Sequence, residues 1–168
     1  MNHLPETLET ERLHLKAVDV DDADFIQALV NTDGWLRFIG DRNIRSKADA
    51  LQYIGRLLGT ENLRYWVVRA KDDGTPAGIV SFLKRDYLEH FDIGFAFLPG
   101  FAGKGYALEA TGAVLNAVTR HPEHRTVLAT TMPSNEASIR LLEKLKFQLT
   151  NELEHGGETL LIYSNQQV

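Results

Sequence analysis

Hydrophobic positions along the chain switch between two periods. Leu13 and Leu15 alternate with polar residues within 8–17, which predicts a strand. Asp19 to Asp22 then offers N-cap carboxylates ahead of Ala23, Ile26, Leu29 and Val30, a helical stripe. Ser46 and Asp49 resemble a capping box and open a second helix, with Ala50, Leu51, Ile54, Leu57 and Leu58 on one face. Three strands follow over 65–70, 77–84 and 90–98, the first two joined by a turn with Asp73-Gly74 at its tip. The third is nearly all apolar after Asp92, so it is expected to be central and covered on both faces.

After residue 98 the pattern changes. A glycine-rich stretch over 99–105 leads into a helix over 106–120, with Leu108, Val114, Leu115 and Val118 inward. A strand over 125–131 and a helix over 135–145, with Ile139, Leu142 and Leu145 at spacing three, come next. Segments 147–152 and 159–163 close the chain as a hairpin around His155-Gly156-Gly157. The order β-α-α-β-β-β-α-β-α-β-β is a mixed α/β layout with helices on both sides of a sheet. No repeat or linker divides it, so 1–168 reads as one domain.

Composition narrows the functional classes. Eighteen basic and 23 acidic side chains leave a net charge of -5, which argues against general nucleic-acid binding. There is no cysteine, so disulfides, thiolate metal sites and a cysteine nucleophile are excluded, and a reducing, cytoplasmic setting fits. The first ten residues lack a basic start followed by an apolar run, so no secretory leader is expected, and no apolar run approaches the ~18 residues of a membrane span. His121 and His124 lie three apart around Pro122, and with no third ligand evident no metal site is expected.

The segment richest in chemistry runs from Asp92 to Ala107, a strand entering a glycine turn that opens a helix. Free amides at a helix N-terminus attract anions, and glycines let the backbone approach a phosphate. Lys104 is followed by Gly105, so this is not a Walker A loop, and the glycine spacing is not that of a dinucleotide fingerprint. Three glycines alone describe a tight turn without a ligand equally well.

The stretch resembles the coenzyme A pyrophosphate loop of the GNAT superfamily of N-acetyltransferases, whose pattern is Gln/Arg-x-x-Gly-x-Gly/Ala. Gly103 and Gly105 match its glycines, and Gly100 stands where the Gln or Arg belongs. The run from Asn135 to Phe147 is similar to the family's second signature, with Lys146 replacing the usual Gly before Phe. The segments 35–42, 83–86 and 94–97 look like the branch of ribosomal-protein N-terminal (RimJ/RimL-like) acetyltransferases. The resemblance implies a single-domain acyl-CoA N-acyltransferase fold, with a mixed, mainly antiparallel sheet of about seven strands and about four helices on both faces. It implies acetyl-coenzyme A as cosubstrate and an amine acceptor, either a protein N-terminus or a small amine. A homodimer is compatible with it.

It also implies roles residue by residue. Backbone groups of Ala96, Phe97 and Leu98 would bind the pantetheine arm, and amides of Phe101, Ala102, Gly103, Lys104, Gly105, Tyr106 and Ala107 the pyrophosphate. Asn135 would reach the pantetheine, and is equally suited to cap its helix. Asp92 matches the position of a glutamate base in the histone-acetyltransferase branch, the alternatives being a water relay or a carboxylate held in a salt bridge. Leu142 stands where many members carry a tyrosine acid, while Ser138 resembles a serine given that task in the N-terminal branch. Trp35, Arg37, Asp41 and Arg42 lie in the loop that would wall the acceptor pocket, where the charged residues either grip an acceptor anion or pair with each other. Two readings compete with catalysis: a noncatalytic acyl-coenzyme A-binding or regulatory module, and a phosphate-binding scaffold.

Overall fold

The computed structural model describes Met1 and residues 3–166. Eight strands form one sheet in the order β1-β2-β3-β4-β5-β6-β8-β7. They are β1 (Thr7–Glu9), β2 (Leu13–Ala17), β3 (Leu63–Ala70), β4 (Pro76–Leu83), β5 (Asp92–Phe97), β6 (Leu128–Thr131), β7 (Gln148–His155) and β8 (Glu158–Ser164). Five helices pack on it: α1 (Ala23–Val30), α2 (Asp33–Phe38), α3 (Lys47–Gly59), α4 (Tyr106–Val118) and α5 (Glu136–Lys144). The mixed, mainly antiparallel sheet with helices on both faces is the fold that the resemblance implies. Among the described residues no helix is long and apolar enough to cross a membrane.

Alternation along the strands builds two cores. Trp66 and Val68 of β3, with Val80 and Phe82 of β4, face Ala110, Val114 and Val118 of α4 and Leu142 of α5. The intervening Val67 and Ile79 face Ile26 and Leu29 of α1 and Ala50 and Ile54 of α3. Four expectations are corrected. The first strand is a hairpin, because Thr10 folds back, its Oγ1 accepting from the Leu13 amide at 3.0 Å. The loop over 35–42 begins inside α2, which Thr32 caps by accepting from the Trp35 amide. In α4 the buried positions are Ala110, Thr111, Val114 and Val118, whereas Leu108 and Leu115 are only half-buried. The Asp49 carboxylate reaches the Arg45 amide, one residue beyond the Ser46 cap that bonds the Asp49 amide.

The sheet is not continuous. β5 and β6 run parallel and share one register pair, Asp92 with Leu128, marked by the Leu128 amide donating to the Phe91 carbonyl at 2.9 Å. Beyond it the strands diverge, and Gly94 to Phe97 are half-exposed rather than sealed on both sides. The apolar run is continuous because both faces of β5 meet side chains, yet one edge lacks a neighbour.

α5 ends in a Schellman motif. The Phe147 amide donates to the Leu142 carbonyl and the Lys146 amide to the Glu143 carbonyl, each at 3.0 Å. This places Lys146 at φ 68, where a Cβ is disfavoured. Lys146→Gly should therefore raise stability by about 1 kcal/mol, read as a higher urea midpoint with an unchanged slope.

Candidate active site

The divergence of β5 and β6 leaves a gap whose open end is the glycine turn. Antiparallel pairing decides which β5 amides face it. The Leu98 amide donates to the Ala77 carbonyl at 2.8 Å, so the pair Gly78 and Phe97 is the non-hydrogen-bonded one. By alternation Ala96 also bonds to β4, while Phe95 and Phe97 turn their N–H and C=O groups into the gap. Of the three strand residues expected there, Phe97 has backbone groups available. Ala96 has its groups committed to β4, Leu98 has its amide bonded to Ala77 and its carbonyl to the Phe101 amide, and Phe95 joins Phe97.

The turn is built in two parts. Pro99–Phe101 forms a 3-10 turn in which the Phe101 amide bonds the Leu98 carbonyl and the Ala102 amide bonds the Pro99 carbonyl, at 3.0 and 3.1 Å. Those two amides are used internally. The amides of Gly103, Lys104 and Gly105, and the first three of α4, have no backbone acceptor among the described residues. Gly103 and Gly105 sit at φ 75 and φ 78, and Gly105 is the N-cap of α4. Gly100 has an ordinary φ and open space where a Cβ would stand, so no steric reason requires glycine there. A patch of six unpartnered amides at the positive end of a helix dipole is fit to hold a diphosphate.

A clamp missed in the sequence holds this turn. The Arg12 Nε donates to Glu109 Oε1 at 2.7 Å, and its Nη1 donates to the Lys104 carbonyl at 2.7 Å. Its guanidinium lies over the Tyr106 ring at 4.7 Å. Thr10 Oγ1 and the Arg12 amide both donate to Glu109 Oε2, at 2.5 and 3.0 Å. Burial pushes the Glu109 carboxyl up, but these donors outweigh it and hold it below its ordinary value. The turn between β1 and β2 thus fixes the first turn of α4 and orients one loop carbonyl away from the free amides.

At the closed end of the gap lies a polar cluster on the α1/α3 face. Asp92 is only 2% exposed and accepts from Arg85 Nε at 3.1 Å on each carboxylate oxygen. Burial pushes its carboxyl above the ordinary aspartate value, although Arg85 pulls the other way. Tyr65 pairs across the sheet with Ser81, and Ser81 with Gly94, next to Asp92 on the same face. Burial raises the Tyr65 phenol far above its usual range, with Tyr53 adding to the shift and Arg42 and Arg85 opposing it. Tyr53 and Tyr65 were not given a site role in the sequence, and Arg85 entered only as part of the 83–86 segment.

The loop candidates divide. Trp35 is a core residue, 4% exposed, whose Nε1 donates to the Gly40 carbonyl at 3.1 Å; it anchors the loop from below rather than walling a pocket. Asp41 pairs with Arg45 at 2.5 Å, not with Arg37 or Arg42. Arg37 and Arg42 are exposed and have no carboxylate partner among the described residues. Asn135 caps α5 by accepting from the Ser138 amide at 3.2 Å, which leaves its carboxamide N–H groups available. Leu142 is fully buried in the core.

A sheet opened between two strands, with an amide-lined turn at the mouth and a polar cluster at the closed end, is the acyl-CoA N-acyltransferase fold. A sequence profile described as the acetyltransferase (GNAT) domain matches residues 12–148, and the chain belongs to that acetyltransferase family. The uncharacterized N-acetyltransferase YnaD of Bacillus subtilis (strain 168) is 24% identical over 138 residues, covering 82% of this chain and 80% of that protein. The solved structure of RimL, a ribosomal L7/L12 alpha-N-protein acetyltransferase in complex with coenzyme A, superposes with a TM-score of 0.82 at 17% identity, covering 95% of this chain and 97% of that one. A chimera of the Vibrio cholerae spermidine N-acetyltransferase SpeG gives 0.75 at 16% identity, covering 92% and 95%.

The conformations of the turn lead to a paired test. Gly103→Val forces a branched side chain into left-handed backbone, so coenzyme A affinity measured calorimetrically should fall about tenfold or more. Gly100→Gln meets no such strain and should keep its affinity.

Proposed function

We propose that this chain transfers acetyl from acetyl-coenzyme A to an amine, either a peptide N-terminus or a small amine, by direct attack in a ternary complex. The observation that carries this reading is the junction of an unpaired β5 edge with six free amides at the mouth of the same gap. In this reading pantetheine lies along the Phe95 and Phe97 backbone, and its diphosphate rests on the amides of Gly103 to Leu108. Asn135 donates to the arm from the opposite side. Bound acetyl-coenzyme A supplies an activated acyl group, a thioester open to attack by a neutral nitrogen.

The chain's own residues then meet three needs. An acceptor amine has a pKa of about 8 as an α-amine and about 10.4 as a lysine-like amine, so a proton must leave before attack. Asp92 takes it, directly or through one water. Its burial makes it a better base than an exposed aspartate, and the Arg85 ion pair fixes its orientation. An amide aimed into the gap from Phe97 or Phe95 polarises the thioester carbonyl, a contribution of about 3–4 kcal/mol where such donors have been removed from other enzymes. The leaving thiol, of pKa about 8.5, needs little help, and Ser138 in the first turn of α5 is the group suited to donate to it.

Acceptor choice rests on Arg37 and Arg42. Both are exposed, and Asp41, the carboxylate between them, is engaged by Arg45. They suit an acceptor that carries a carboxylate or phosphate near its amine.

Release of free thiol from acetyl-coenzyme A, followed with purified protein and a panel of peptide and small amines, tests the proposal. Amine-dependent release is expected; slow hydrolysis that no amine accelerates would contradict it and favour an acyl-coenzyme A-binding module. Asp92→Asn should lower kcat by about 10²-fold or more with coenzyme A affinity preserved. The acidic limb of the wild-type pH profile, set by a carboxyl whose pKa lies above 3.8, should vanish in the variant. A wild-type rate in that variant would remove Asp92 as the base.

A further inference from the structure

The sequence holds His121 and His124 without a third ligand, but the fold brings two more groups to them. Residues 3–5 run across the α4 face of the sheet, where Leu4 enters the core. Their carbonyls are held as well: Trp66 Nε1 donates to Pro5 at 2.9 Å and Arg64 Nη1 to Leu4 at 3.2 Å. This anchoring sets His3 against the 3-10 turn Pro122–His124 that follows α4. His3 Nε2 lies 3.2 Å from His124 Nε2 and 3.3 Å from Glu123 Oε1. The donor atoms of all three residues fall within 4.8 Å of one another, and the His121 ring packs on His3 with centroids 4.3 Å apart.

Protons alone satisfy this arrangement poorly. His124 is 4% exposed, and its Nδ1 is buried with no hydrogen-bond partner. The Phe82 and Phe91 rings meet the imidazole edge-to-face. The tautomer that buries an N–H against phenyl rings, rather than a bare lone pair, turns the Nε2 lone pair toward His3. His3 Nε2 then faces two acceptors, His124 Nε2 and Glu123 Oε1, with at most one proton. A divalent cation satisfies all three lone pairs together. Metal–nitrogen bonds of about 2.0–2.1 Å in a tetrahedron place ligand atoms about 3.3 Å apart, which matches both separations.

We propose that His3, Glu123 and His124 form a binding site for a divalent transition metal of the zinc class, with the remaining position open to water. The role is structural: the ion ties the segment before β1 to the connection between α4 and β6. It lies at the end of α4 remote from Gly105, about 20 Å along a helix of 13 residues, and so apart from the amide-lined turn.

The test uses the full chain free of any polyhistidine tag. Calorimetric titration with zinc should give one equivalent bound, and cobalt(II) should show the visible absorption of a tetrahedral site. Zinc should raise the melting temperature, and a chelator should reverse the rise. His3→Ala removes a partly exposed ligand without touching the core, and should weaken zinc binding by roughly tenfold or more. Glu123→Gln should act in the same direction. Coenzyme A affinity should be unchanged in both variants, which separates this site from the proposed cosubstrate site. Absence of stoichiometric zinc binding to the wild type, or equal affinity in His3→Ala, would overturn the proposal.

Discussion

One rung of hydrogen bonding, the pair Asp92 and Leu128, joins the two halves of the sheet, and the site depends on what happens beyond it. A strand edge that leaves its neighbour exposes amides and carbonyls that must find other partners. Here the edge belongs to a central strand held firmly on its other side by six register pairs with β4. The strand therefore stays extended and rigid while its free side presents a ladder of donors and acceptors. A ligand arm laid into the gap would complete the sheet in the way a missing strand would, as peptides do at open sheet edges.

The rest of the site follows from fixing the two ends of that gap. At the mouth, two left-handed glycines turn the chain so that α4 starts with its amides pointing toward the opening. Arg12 and Glu109 bind this turn to the β1–β2 hairpin, a contact between residues almost 100 positions apart. At the closed end, burying Asp92 raises its pKa, and Arg85 keeps a charged form accessible. The same burial that disfavours the charge would, in the proposed function, make the carboxylate a stronger base.

Much of the architecture was legible because local periods reported it. Alternation marked the strand around Leu13 and Leu15, the Asp73-Gly74 turn joined β3 to β4, an apolar run marked β5, the 3.6-residue stripe marked α1 and α3, and the glycine spacing marked the start of α4. What was missed depends on contacts distant in sequence. No periodicity says that β6 pairs with β5 at one position only, because 30 residues and a helix separate Phe97 from Leu128. The same holds for Arg12 meeting Lys104, for Tyr53 beside Tyr65, and for His3 meeting His124. Trp35 belongs with these: only the fold shows it buried, with its N–H donated to the Gly40 carbonyl. Alternation also corrected the strand residues facing the gap, since only register with β4 assigns Phe95 and Phe97 to it.

In the proposed function the free backbone amides of β5 and of the start of α4 together receive coenzyme A. Nitrogen-15 amide spectra recorded during a coenzyme A titration test it most directly. The account predicts the largest shifts at Phe95, Phe97 and Gly103 to Leu108, with Ala96 and Leu98, bonded to β4, moving far less. Shifts spread over another face, or an unmoved set from Gly103 to Leu108 at saturating coenzyme A, would contradict it.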